Sequence, residues 1–101
     1  MRERDVEKTL VTEVKKRGGI APKWYSPGMA GVPDRLIFLP HGKFAMAELK
    51  APGEKPRPLQ VARHRLLQGL GFKVYVIDRK ESIGSVLDEI QEVAADAVHT
   101  T

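Results

Sequence analysis

The chain has 101 residues, 42% hydrophobic and 30% charged, with no cysteine and a net charge of +4 at pH 7. That length fits one compact domain, no apolar run approaches the roughly 20 residues that span a bilayer, and the missing cysteines exclude disulfides, thiolate metal centres and cysteine nucleophiles. The mixed-charge start Met1-Arg2-Glu3-Arg4-Asp5 predicts no secretory signal and hence a cytoplasmic protein, and the basic balance leans toward a polyanion, most commonly nucleic acid.

In chain order, Asp5 to Arg17 sets Val6, Leu10 and Val14 four residues apart, one apolar stripe of a helix that Val11 widens. Asp5 and Glu7 lead while Lys15, Lys16 and Arg17 follow, which suits the helix dipole, and Gly18-Gly19 ends the run. Ile20 to Ser26 surrounds Pro22 with Ile20, Trp24 and Tyr25 and reads as a short, irregular or edge strand. Trp24 and Tyr25 are expected in the core, base stacking being the alternative use of two aromatics. Ser26 to Pro33 is loop. Arg35 to Leu39, the turn Pro40-His41-Gly42-Lys43, and Phe44 to Lys50 make a β-hairpin. Ala51 to Pro58 is a second loop. Leu59 to Leu70 places Leu59, Ala62, Leu66 and Leu70 on one helical face, with Gly69 and Gly71 at its end. Phe72 to Ile77 is a strand, and from Ser82 a last helix repeats Ile83, Val86, Leu87, Ile90, Val93 and Ala94; the tail after Ala97 is expected to fray. The fold class is α/β: a single domain over residues 1–101 with a small mixed β-sheet flanked by helices.

The three histidines, 41, 64 and 99, lack metal-pair spacing, and no phosphate loop, nucleophile elbow or dinucleotide fingerprint is present. The polar residues inside strands carry more. Alternation puts Glu48 and Lys50 on one face with Phe44 and Met46, while Ala45, Ala47 and Leu49 face the other way. Asp34 heads the first hairpin strand, and a short turn brings it beside Glu48. Two close carboxylates repel unless a proton or cation lies between them, and a hard divalent ion, Mg²⁺ or Mn²⁺, resolves that conflict. An acid-x-Lys triplet also occurs at Glu13-Val14-Lys15 and Asp78-Arg79-Lys80. Only Glu48-Leu49-Lys50 has an acid-headed strand paired to it.

Gly31-Val32-Pro33-Asp34-Arg35, then Glu48-Leu49-Lys50, then Gln60 at the next helix start, with Glu7 on the first helix, resemble the PD-(D/E)xK nuclease superfamily. More narrowly they resemble its VRR-NUC family of virus-type replication and repair nucleases, over the stretch from about Glu7 to Ile77. The resemblance implies a restriction-endonuclease-like core in αβββαβ order with an added C-terminal helix. It implies Mg²⁺, with Mn²⁺ as a substitute, held by Asp34, Glu48 and the backbone carbonyl of Leu49, and by Glu7 directly or through water. Lys50 would hold or help deprotonate the attacking water, and Gln60 would orient Lys50 or that water. The standalone type further implies homodimers that cut branched DNA such as four-way junctions in replication, recombination or repair. Lys23, Ser26, Arg35, Lys55, Arg57, Arg63 and Arg65 are candidates for phosphate contacts, since several flank the proposed site in sequence. The residues leave three other readings: a same-core nuclease acting on other DNA structures, a non-catalytic basic DNA-binding module, and a scaffold in which Asp34, Glu48 and Lys50 form a structural ion cluster.

Overall fold

The computed structural model describes residues 2–92, so Val93, Ala94, His99 and the expected frayed tail lie outside the described residues. The elements are helix α1 (Glu3–Lys16), strands β1 (Arg35–Leu39) and β2 (Lys43–Leu49), helix α2 (Pro58–Gly69), strand β3 (Val74–Ile77), a 3₁₀ turn (Lys80–Ser82) and helix α3 (Ile83–Gln91). The sheet order is β1-β2-β3, with β1 antiparallel and β3 parallel to the central β2. His41 and Gly42 close the hairpin in left-handed conformation, which sets Leu39 opposite Lys43 and Arg35 opposite Ala47.

One sheet face meets α1 and α3. Ile37, Leu39, Ala45, Ala47, Leu49 and Ile77 pack there against Val6, Leu10 and Val14 of α1 and Ile83, Leu87 and Ile90 of α3. The two alanines of β2 leave room for the helices to lie close over the centre of the sheet. Arg17 then ties the helices together, donating to Asp88 and Gln91 at 2.8 Å each. The opposite face carries Phe44, Met46 and Glu48 of β2; α2 lies against its Glu48 end, while Phe38 and Val76 on the same face stay exposed.

Two sequence expectations are corrected here. Residues 20–23 form no continuous strand but two single bridges on the outer edge of β1, Ile20 to Phe38 and Lys23 to Arg35. Pro22 lacks an N–H, so this ladder can only be intermittent. Gly19 permits the approach, since a Cβ there would lie 2.1 Å from the Phe38 carbonyl oxygen. The second correction concerns α2. Leu59, Leu66 and Leu70 are exposed, whereas Gln60, His64 and Leu67 are buried. The helix turns a polar pair inward because a carboxylate awaits it there.

Candidate active site

Continuing the hairpin register one step past Arg35 and Ala47 puts Asp34 opposite Glu48, and directly opposed residues share a face. The start of β1 is held by its neighbours. Pro33 is fully buried, and the Asp34 carbonyl accepts from the Trp24 N–H at 2.8 Å. The Asp34 side chain reaches across the hairpin, its Oδ2 accepting from the Leu49 N–H at 2.8 Å. Both acids therefore meet at one end of the sheet. The loop before Asp34 presses on α2: Gly31 has φ +84°, a Cβ there would lie 2.9 Å from the Leu59 carbonyl oxygen, and Arg63 Nε donates to the Ala30 carbonyl at 2.9 Å. A cleft of about 540 Å³ opens between this loop and the first turn of α2, with Gln60 in its wall.

Glu48 is only 1% exposed. Its Oε2 accepts from Gln60 Nε2 at 2.9 Å and lies 3.5 Å from Lys50 Nζ. Gln60 is aimed by the local helix start. As the third residue of α2 its Oε1 accepts from the Arg57 N–H at 2.8 Å, leaving its amide N–H₂ to face the carboxylate. Glu48 Oε1 faces His64 Nε2 at 3.6 Å, and neither of these buried atoms has a hydrogen-bond partner. Burial pushes the Glu48 carboxyl up from its ordinary 4.5 to about 7; the Asp34 charge adds to the rise and Lys50 opposes it. Burial also lowers the His64 imidazole, against the pull of Asp34.

Glu7 of α1 and Arg35 of β1 pair with each other. Arg35 Nε donates to Glu7 Oε2 at 2.8 Å, and its NH1 donates to the Ala21 carbonyl at 2.8 Å. The acid expected at the ion and the base expected on phosphate thus neutralise each other, because α1 crosses the start of β1 at that point. Glu3, one turn earlier on α1, shares the field of the site instead. Its carboxyl is raised by burial first and by Asp34 next, with Lys50 opposing.

Among the described residues no cluster of three or more His, Cys, Asp or Glu side chains is set around a common point. The donors here whose chemistry would suit a hard cation are the Asp34 and Glu48 carboxylates and the Leu49 backbone carbonyl; the Asp34 charge, after burial, helps raise the Glu48 carboxyl, and Glu48 Oε1 has no hydrogen-bond partner. Of the candidate phosphate contacts, Lys23, Lys55, Arg57 and Arg65 are exposed, and Ser26 and Arg63 are half-buried. Tyr25, expected in the core, is 88% exposed, while Trp24 is half-buried. Sequence reasoning passed over Glu3 and His64. The signal was helical spacing: Glu3 stands four residues before Glu7, and His64 four after Gln60.

No family model matches the chain. It is 51% identical over 90 residues to a protein of Acyrthosiphon pisum secondary endosymbiont phage 1 named "Putative nuclease p44", an alignment that covers 89% of this chain and 96% of the phage protein. Its structure is similar to that of a solved VRR-NUC domain, with a TM-score of 0.79 and 28% identity, covering 85% of this chain and 94% of the other.

Proposed function

The chain belongs to the VRR-NUC family of nucleases, and from that membership we propose a Mg²⁺-dependent endodeoxyribonuclease, with Mn²⁺ as a substitute, that cuts branched DNA such as four-way junctions. The observation that carries this reading is the meeting of Asp34 and Glu48 on one face with the Lys50 ammonium 3.5 Å from Glu48.

In this proposal Asp34, Glu48 and the Leu49 carbonyl hold the ion. When bound, the ion supplies an acidified water and neutralises charge developing on the phosphate. Lys50 is 13% exposed at its side chain, so its charge acts in a medium that screens it weakly. It orients the attacking water and offsets the negative charge of the pentacovalent phosphorus as the P–O bond to the leaving group breaks. Gln60 keeps Glu48 in place by its 2.9 Å hydrogen bond. Lys23, Ser26, Lys55, Arg57, Arg63 and Arg65 supply phosphate contacts, with Arg57 in the wall of the cleft, and several like charges act together through counterion release. One chain has one such site, and cutting both strands of a junction calls for two, so the working form is a C2 homodimer. The exposed Leu59, Leu66 and Leu70 of α2 support it, since an apolar stripe of this kind favours a protein partner. The proposed place of action is the cytoplasm of a bacterial or phage-infected cell; among the described residues no helix is long and apolar enough to cross a membrane.

The test incubates the protein with labelled four-way junctions, flaps, linear duplex and single strands in Mg²⁺, Mn²⁺ or EDTA. Junction cleavage is expected with either metal and none with EDTA. Lys50→Ala and Glu48→Gln are expected to lose cleavage by about 100-fold or more while still binding junctions. Cleavage that survives both substitutions overturns the site; equal cleavage of every substrate overturns the junction preference alone.

A further inference from the structure

One buried group in the site has no task in the reading above. His64 is 6% exposed, and its Nε2 lacks a partner. Glu48 Oε1 is equally without one, and the two atoms face each other at 3.6 Å. Buried polar atoms are seldom left unpaired, and here the two orphans lie about half an ångström beyond an ordinary N–H···O bond. The arrangement calls for one proton between the two atoms, and once Glu48 is ionised, as it must be to hold a cation, a bare Nε2 lone pair would be repelled by the carboxylate oxygen, so that proton belongs on Nε2.

The rotation of α2 points the same way. Turning Leu59, Leu66 and Leu70 outward forgoes their burial within the chain's own core in exchange for bringing Gln60 and His64 inward. These two residues stand four apart, one helical turn, and address the two different oxygens of the same carboxylate.

We propose that His64 is a positioning residue of the nuclease site: its Nε2–H donates to Glu48 Oε1 while Gln60 Nε2 donates to Oε2, so that one face of α2 grips both oxygens and sets the direction in which the carboxylate meets the ion. The inference rests on Glu48 being a metal-holding carboxylate. Each carboxylate oxygen can accept more than one partner, so the grip leaves it free to bind a cation. A carboxylate held from one side only would swing, and metal affinity would fall with its orientation.

The experiment measures Mn²⁺ binding by calorimetry on the parent protein and on His64→Leu, His64→Gln and Glu48→Gln, with thermal melts confirming folded protein. His64→Leu is expected to raise the Kd for Mn²⁺ about tenfold, and His64→Gln, whose amide nitrogen can stand near the imidazole Nε2, to return it to within about threefold of the parent. A second measurement needs no variant: ¹⁵N spectra of the Mg²⁺-loaded parent are expected to show His64 protonated on Nε2. Parental affinity in a folded His64→Leu, or protonation on Nδ1 alone, overturns the inference. Should His64→Leu fail to fold, the imidazole protonation state decides. Where Glu48→Gln abolishes Mn²⁺ binding and His64→Leu leaves it unchanged, the positioning role fails alone. Where the parent binds no Mn²⁺, or Glu48→Gln binds it as the parent does, the metal-site reading fails and this role with it.

Discussion

Replacing Glu48 by glutamine is expected to destroy cleavage and, in the absence of metal, to make the protein more stable. The Glu48 carboxyl takes up its proton at about 7 in the folded chain against an ordinary 4.5, with burial the first cause and Asp34 the second. Between those two pH values the folded state binds more protons than the unfolded chain, so stability falls as pH rises. The contribution is whole below pH 4.5 and lost by the time pH has risen through about 7. At about 1.4 kcal/mol per pH unit of displacement, ionised Glu48 at pH 8 destabilises the metal-free fold by about 3 kcal/mol. The side chain is 1% exposed, so solvent screening takes little from that figure. Glutamine approximates the protonated acid: its amide oxygen can still accept from Gln60, and it removes the charge that Asp34 repels. Thermal melts of parent and variant in EDTA should therefore differ by about 10 °C or more at pH 8 and converge below pH 4.5. Adding Mg²⁺ at about 100 times its Kd should return roughly 2.7 kcal/mol to the parent and none to the variant. A variant no more stable than the parent at pH 8, or a gain independent of pH, would refute the account of a carboxylate held for a cation at the expense of the apo fold.

Three further outcomes are expected. Gly31→Ala should lower stability by about 1–3 kcal/mol, since φ is +84° and the new Cβ would lie 2.9 Å from the Leu59 carbonyl; denaturant titration measures this, and cleavage should drop because the displaced turn of α2 carries Gln60. Glu7→Gln should cost about 1–2 kcal/mol through the weakened 2.8 Å bond to Arg35, yet leave Mn²⁺ affinity within about twofold of the parent, where loss of a ligand that orients an ion costs tenfold or more. Leu66→Lys, on the exposed stripe of α2, should yield a folded monomer by light scattering; an unchanged dimer would place the interface elsewhere.

Much of this protein was readable from its residues because the decisive contacts are local. The stripe Val6, Leu10, Val14 named both α1 and its buried side, and the short turn at His41-Gly42 left one register in which Asp34 stands opposite Glu48. Periodicity could not say which side of α2 meets the sheet. The leucines of that helix form the more apolar face, and by composition alone they belong inside. Only the assembled fold brings the buried Glu48 carboxylate beneath α2, where hydrogen-bond donors are needed, and so turns Gln60 and His64 inward. The pairing of Glu7 with Arg35 and the approach of Glu3 to Asp34 were hidden for the same reason. A helix repeat tells which side chains point together, but the partner they point at lies far away in the chain, and only tertiary packing chooses it.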